Sequence, residues 1–168
     1  MVEIYDDLIS PGYQDFIERT LSDPNYPWHY TRGISLPGDN NTGFSHTIFH
    51  GDLGYKGPYA DMMMPLLYQY LGDTPLKMLY RIRAAMFIKR QNEDEHLPHI
   101  DQPDKTHRTM IYYVNDSDGP TNIWQNDVIV DQVEFKRGRI IVMPGSVFHS
   151  SSSPQHHNER MVVNYNFL

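Results

Sequence analysis

Seven short β-prone segments following one another after Pro75 constrain this chain more than any other feature. They cover residues 79–89, 109–115, 121–125, 128–135, 139–143, 147–150 and 160–167. Turn formers separate them: Asp118-Gly119-Pro120, Asn126-Asp127, Lys136-Arg137-Gly138 and Pro144-Gly145. Short strands at this spacing predict an antiparallel sandwich or jelly roll rather than parallel strands with crossovers. The helical pieces come first. Ser10-Pro11 sets an N-cap and a first-turn proline before an amphipathic helix running to Leu21. Met62, Leu66, Leu67 and Tyr70 recur at helical spacing in a second helix over 59–71, closed by Gly72. Residues 25–57, rich in Pro, Gly, Asn and Tyr, read as irregular structure carrying two strands, one at 44–49. Helices followed by strands predict a mainly β, α+β class, with the N-terminal helices packed on one sheet. A chain of 168 residues without internal repeats is expected to form one domain. Residues 1–76 would be its helical and irregular support and 77–168 its jelly-roll core.

Composition narrows the chemistry. With no Cys, disulfides, zinc fingers, iron–sulfur clusters and thiol nucleophiles are all excluded, so any metal must rest on His, Asp or Glu. The net charge of −7 opposes binding to a phosphate backbone, so nucleic acid is not an expected partner. No apolar run approaches the roughly 18 residues of a membrane span. The N-terminus MVEIYDDLISPGYQ lacks the basic patch and apolar stretch of a secretory leader, which makes the cytoplasm the expected location.

His99-Ile100-Asp101 puts two ligand-type side chains on the same side of an extended segment. A chain with nine His produces such triplets by chance, and a solvated loop is the alternative. A second imidazole, His149, follows Pro144-Gly145 in an apolar setting. Two His and one carboxylate make a facial triad with open positions, the pattern of ferrous oxygenases. Arg160 starts the terminal strand. If Met161, Val163, Tyr165 and Phe167 pack under the helices, Arg160 points into the barrel, where a buried guanidinium needs an anion such as a bidentate carboxylate. The alternative is an edge arginine paired with Glu159 or Asp127.

Together these segments resemble the iron(II)- and 2-oxoglutarate-dependent dioxygenases, most of all their prolyl-4-hydroxylase-like branch. The resemblance covers residues 79–168. It rests on His99 and Asp101, the strand Arg108-Thr109-Met110-Ile111-Tyr112-Tyr113-Val114-Asn115, and Gly119-Pro120-Thr121 where the family usually shows Gly-Gly-x-Thr. It continues through residues 135–144 to His149 and Arg160. The resemblance implies a double-stranded β-helix of the jelly-roll or cupin-like kind, with His99, Asp101 and His149 as the catalytic Fe(II) ligands. Arg160 would bind the distal carboxylate of 2-oxoglutarate. Tyr113, which shares a face with Thr109 and Ile111, would bond the same carboxylate, a core tyrosine being the alternative. Dioxygen is the implied cosubstrate and ascorbate a candidate reductant. The implied reaction hydroxylates an unactivated C–H bond of a peptidyl proline or a small amino-acid-like substrate, releasing succinate and CO2. Asn166 departs from the family pattern, since prolyl hydroxylases commonly carry tryptophan there and nucleic-acid demethylases a second arginine. A non-catalytic jelly roll that binds metal or ligand is the competing reading. The oligomeric state is left open.

Other residues carry weaker expectations. His96, before Leu97-Pro98, reads as loop polarity. His46 and His50 flank the β-formers Thr47, Ile48 and Phe49 and so read as strand residues rather than a metal pair. His156 and His157 belong to an exposed loop, and Met62-Met63-Met64 to a helix core. Trp124 and the tyrosines at 55 and 59 are either substrate contacts or core and loop aromatics. Arg81, Arg83, Lys89 and Arg90 read as a solvated strand face, with a substrate entrance as the alternative.

Overall fold

The inner and outer halves of the barrel follow from strict alternation along its strands. The computed structural model of the chain describes residues 1–36, 39, 41–90, 96–103 and 106–168. In chain order the elements are β1 (Glu3–Tyr5), α1 (Pro11–Leu21), β2 (His29–Arg32), β3 (Thr42–His50), β4 (Tyr55–Lys56), α2 (Ala60–Leu71) and β5 (Leu79–Ile88). There follow β6 (Arg108–Tyr113), β7 (Thr121–Gln125), β8 (Val128–Val133), β9 (Ile140–Pro144), β10 (Phe148–Ser150) and β11 (Glu159–Phe167). The large sheet has the order β1-β9-β6-β11-β5-β3-β2, with β4 on β3, and the small one the order β10-β7-β8. Each ladder is antiparallel, giving the mainly β jelly roll that the strand spacing predicts. Among the described residues no helix is long and apolar enough to cross a membrane.

Along β11, Met161, Val163, Tyr165 and Phe167 join Ile17, Leu21, Leu66 and Leu67 of the helices in the outer core. Burying each of the larger apolar chains contributes about 1.5–3 kcal/mol. The Tyr165 hydroxyl donates to the Met63 carbonyl at 3.0 Å, tying β11 to α2. The other face of the sheet, with Ala85, Phe87, Ile111, Tyr113 and Val162, meets Ile123, Val133 and Phe135 in an inner core. Arg160, Val162, Asn164 and Asn166 therefore share the inward face of β11, opposite Phe87, Ala85, Arg83 and Arg81 of β5. Thr109 and Ile111 of β6 pair with Asn166 and Asn164 from the other side.

The N-terminal segment is more regular than its composition predicts. Among the described residues, 25–57 carry three strands, not two, and the nine-residue β3 pairs with β5 from Phe44 to His50. Met63 is fully buried in α2, in keeping with a helix core. His46 lies buried on β3, its ring against Tyr26 (5.0 Å), Tyr59 (5.6 Å) and His29 (6.1 Å). Burial, then the charge of His29, lowers its pKa below 6.5. The unfolded chain therefore takes up this proton first, and the stability is complete above 6.5 and lost as pH falls below it. Between pH values of about 7.5 and 5.5, urea unfolding should show a larger stability loss in the wild type than in His46→Phe.

Candidate metal centre

The site begins with a backbone pair. The His99 N–H donates to the His149 carbonyl at 2.9 Å and the His149 N–H to the His99 carbonyl at 3.0 Å. This isolated antiparallel bridge brings the two imidazoles to a centroid separation of 4.7 Å. Each ring is oriented by its own chain: His99 Nδ1 donates to the Leu97 carbonyl and His149 Nδ1 to the Val147 carbonyl, both at 3.2 Å. A carbonyl can only accept, so each Nδ1 carries a proton, and in a neutral ring so held it is Nε2 that keeps the lone pair for a ligand. Asp101 faces them, with Oδ1 3.9 Å from His99 Nε2 and Oδ2 3.7 Å from His149 Nε2. The three ligand atoms lie within 4.8 Å of one another, as a metal would require.

Electrostatics favours the forms that bind metal. Burial and then the neighbouring His149 push the His99 pKa down to about 4, against the pull of Asp101, so its imidazole is neutral at neutral pH. Burial opposes ionisation of Asp101, but His149, Arg81, His99 and the Thr109 hydroxyl together hold its carboxyl well below the usual range. Asp101 is fixed by four side chains of the large sheet. Arg81 Nη2 donates to Oδ1 at 3.1 Å, Thr109 Oγ1 to Oδ2 at 2.9 Å, and Asn164 Nδ2 to both oxygens at 3.2 Å. Asn166 Nδ2 donates to Oδ2 at 3.1 Å, and its own Oδ1 accepts from Arg81 Nε at 3.1 Å. These supporting residues were not foreseen; the signal available was a polar run on the inward face of β11, continued across the sheet to β5.

Arg160 is 1% exposed on the same inward face, which rules out the edge pairing with Glu159 or Asp127. Its Nε donates to the Gly119 carbonyl at 2.9 Å and its Nη2 to Thr121 Oγ1 at 3.0 Å. The guanidinium lies 4.7 Å from the Phe135 ring centroid and 5.3 Å from that of Phe87. Burial pulls its pKa down to about 10, and among the described residues no carboxylate pairs with it. Tyr113 stands beside it, fully buried and stacked on Phe135, its hydroxyl donating to Thr121 Oγ1 at 2.7 Å. One cavity of about 460 Å³ joins His99, Asp101, His149, Thr121 and Arg160, with residues 31–36 along one wall.

The remaining candidates divide. Arg81 and Arg83 line this cavity, so the expectation of a solvated face is corrected for both; alternation turns them inward with Ala85 and Phe87. His96 is not loop polarity. It is buried, with Nδ1 2.6 Å from Ser151 Oγ, Nε2 3.1 Å from Ser153 Oγ, and its ring on Phe87 at 5.0 Å. Trp124 bonds Ser150 Oγ at 2.9 Å and lines a separate hollow beside Phe148. Tyr59 packs on Tyr26, and Tyr55 is exposed on β4, so neither aromatic reaches the cavity of the His-Asp-His cluster. His156 and His157 lie in an exposed loop, whose backbone N–H groups donate to Asp118.

No protein-family model matches the sequence, and no curated protein matches it. Solved structures do. An oxidoreductase of the 2OG-Fe(II) oxygenase family from Burkholderia pseudomallei matches with a TM-score of 0.73 at 12% identity, over 99% of this chain and 84% of that one. A prolyl-4-hydroxylase of Pseudomonas putida matches with a TM-score of 0.69 at 13% identity, over 99% of this chain and 91% of that one. The epimerase SnoN, in complex with Fe3+, alpha ketoglutarate and nogalamycin RO, matches with a TM-score of 0.66 at 13% identity, over 99% and 78%. The fold is therefore that of the 2-oxoglutarate and iron(II) oxygenases, and the His-Asp-His cluster lies inside it.

Proposed function

We propose that this protein is an Fe(II)- and 2-oxoglutarate-dependent dioxygenase that hydroxylates an unactivated C–H bond of a peptidyl proline or a small amino-acid-like substrate. The observation that carries this reading is Arg160: a buried guanidinium with no acid partner among the described residues, in the cavity that also holds the cluster. A metal hydrolase or a purely metal-binding jelly roll would use the three ligands but has no need of that cation. His99, Asp101 and His149 would hold the iron, a donor set of two imidazoles and one carboxylate that suits it. When bound, the iron, 2-oxoglutarate and dioxygen supply the oxidation, with succinate and CO2 as co-products. The chain's own work is binding and exclusion. Arg160 and Thr121 would take the distal carboxylate, with Tyr113 as a further donor in that corner. Phe87 and Phe135 line Arg160 with apolar surface, which strengthens a charge-assisted bond there by keeping water away. Asn164, Asn166, Arg81 and Thr109 keep Asp101 aimed at the ion.

The decisive experiment is succinate formation from 2-oxoglutarate by the ferrous protein on admission of oxygen, with ascorbate present and with free iron as control. Protein-dependent turnover that stops with a chelator is expected. Tight metal binding without any such turnover, even with peptide and amino-acid mixtures, would instead favour the non-catalytic jelly roll.

A further inference from the structure

The metal cavity holds more positive charge than this reading uses. Arg160 answers the distal carboxylate, and Arg81 is paired with Asp101 at 3.1 Å. Arg83 lies between them on the inward face of β5, opposite Asn164, and lines the same cavity. Its one hydrogen bond among the described residues runs from Nη1 to the Ile34 carbonyl at 3.0 Å. No acid lies within ion-pairing reach of it among the described residues; the carboxylate whose charge it feels, Asp101, is held by Arg81. Burial and the like charge of Arg81 pull its pKa down to about 10, which still leaves it charged at neutral pH. Even a half-buried guanidinium such as that of Arg83 is unfavourable without a counter-ion, and an anion arriving in the cavity relieves it. Ile34, which packs against the inner core, adds an apolar wall next to this cation.

We propose that Arg83 docks the primary substrate, and that this substrate is a small carboxylic acid whose carboxylate sits on Arg83 with the carbon to be oxidised toward the His99, Asp101 and His149 cluster. The proposal rests on the dioxygenase reading and narrows it from peptidyl proline to a small acid. The backbone of an internal peptide segment brings no carboxylate, so such a substrate would answer Arg83 only through an acidic side chain, whereas a small acid carries the anion itself. A single guanidinium matches a carboxylate monoanion. A phosphate near its second ionisation asks for a further cation; Arg81 is taken by Asp101, Arg160 is assigned to the distal carboxylate, and the remaining cation of the lining, Arg32, is exposed at the end of β2. A cavity of about 460 Å³ is of small-molecule size.

The test is calorimetric binding to the manganese-loaded protein, with 2-oxoglutarate present and oxygen absent. The probes are L-proline, L-leucine and hexanoate, each against its primary amide, and phenyl phosphate against benzoate. At least one acid should bind about tenfold or more tightly than its amide. Arg83→Gln should erase that preference without changing 2-oxoglutarate affinity, and Arg83→Lys should keep part of it. Equal binding of acids and amides, no binding by any of the acids, or a preference surviving Arg83→Gln would overturn the proposal. So would a loss of 2-oxoglutarate affinity on Arg83→Gln, or tighter binding of phenyl phosphate than of benzoate. If Arg83→Gln does not fold, the wild-type acid–amide comparison and Arg83→Lys decide. Wild-type protein that binds manganese but not 2-oxoglutarate would instead remove the dioxygenase reading, while acid binding in its absence still tests Arg83.

Discussion

Arg160→Ala should weaken 2-oxoglutarate binding to the manganese-loaded protein by about 30-fold to 5,000-fold, in line with the 2–5 kcal/mol lost when one partner of a buried charge pair is removed. Metal affinity should stay near the wild-type value, because Arg160 bonds Gly119 and Thr121 and none of His99, Asp101 or His149. Arg160→Lys should fall between the two, since an ammonium keeps the charge but not the planar fork that meets a carboxylate with two parallel bonds. The truncation also removes a donor from the Gly119 carbonyl and leaves a gap under Phe87 and Phe135, so a lower melting temperature is expected alongside. Titration with 2-oxoglutarate separates the effects, because a merely destabilised protein still saturates at the original concentration. An affinity change below about threefold would place the distal carboxylate elsewhere, and Arg83 would be the first residue to try.

The strands after Pro75 were legible because they alternate. Met161, Val163, Tyr165 and Phe167 announce one buried face of β11, and that alone sends Arg160 to the other. The N-terminal strands were less so. In β3 the register slips between Thr47 and Phe49, which breaks the period-two pattern. Gly43 reads as a loop residue, yet a β-carbon there would lie 2.6 Å from the Met86 carbonyl oxygen, so the close approach of β5 explains it. The strand β1 is three residues long and carries too little pattern to notice; pairing with β9 and the Glu3–Arg108 bridge at 2.5 Å hold it in place.

That His99 and Asp101 project to one side was readable from local geometry, since residues two apart in an extended segment project together. The support of the triad was not. Asp101 enters from a loop, and nothing in its neighbourhood in the chain indicates that Arg81, Asn164 and Asn166 will converge on it. Asn166 looked like a bare departure from a family pattern; its amide instead bonds Asp101 and Thr109. His96 misled for the same reason. Leu97-Pro98 marks a loop correctly, but the serines that bury the imidazole come from residues 151 and 153.

His149→Ala should fold and yet bind manganese or ferrous iron about a hundredfold or more weakly, a larger loss than the 10- to 100-fold typical of changes to the groups that merely orient ligands. The fold should survive because the bond between the two histidines is made by their backbones, and alanine keeps it. Among the described residues the side chain's own hydrogen bond goes to the Val147 carbonyl, two residues away, so no distant hydrogen bond is cut. What is lost is one of two lone pairs aimed at the centre, and with it the closer of the two imidazole contacts to Asp101, at 3.7 Å against 3.9 Å. Asn166→Leu is the informative companion. It leaves all three ligands but removes a bond to Asp101, so its metal affinity should fall within the 10- to 100-fold range. Calorimetric titration with manganese, followed by melting of each metal-free protein, reads both effects. If His149→Ala binds the ion as tightly as the wild type, the ion sits elsewhere in the barrel and Asp101 with its asparagines becomes a structural anchor rather than a metal ligand.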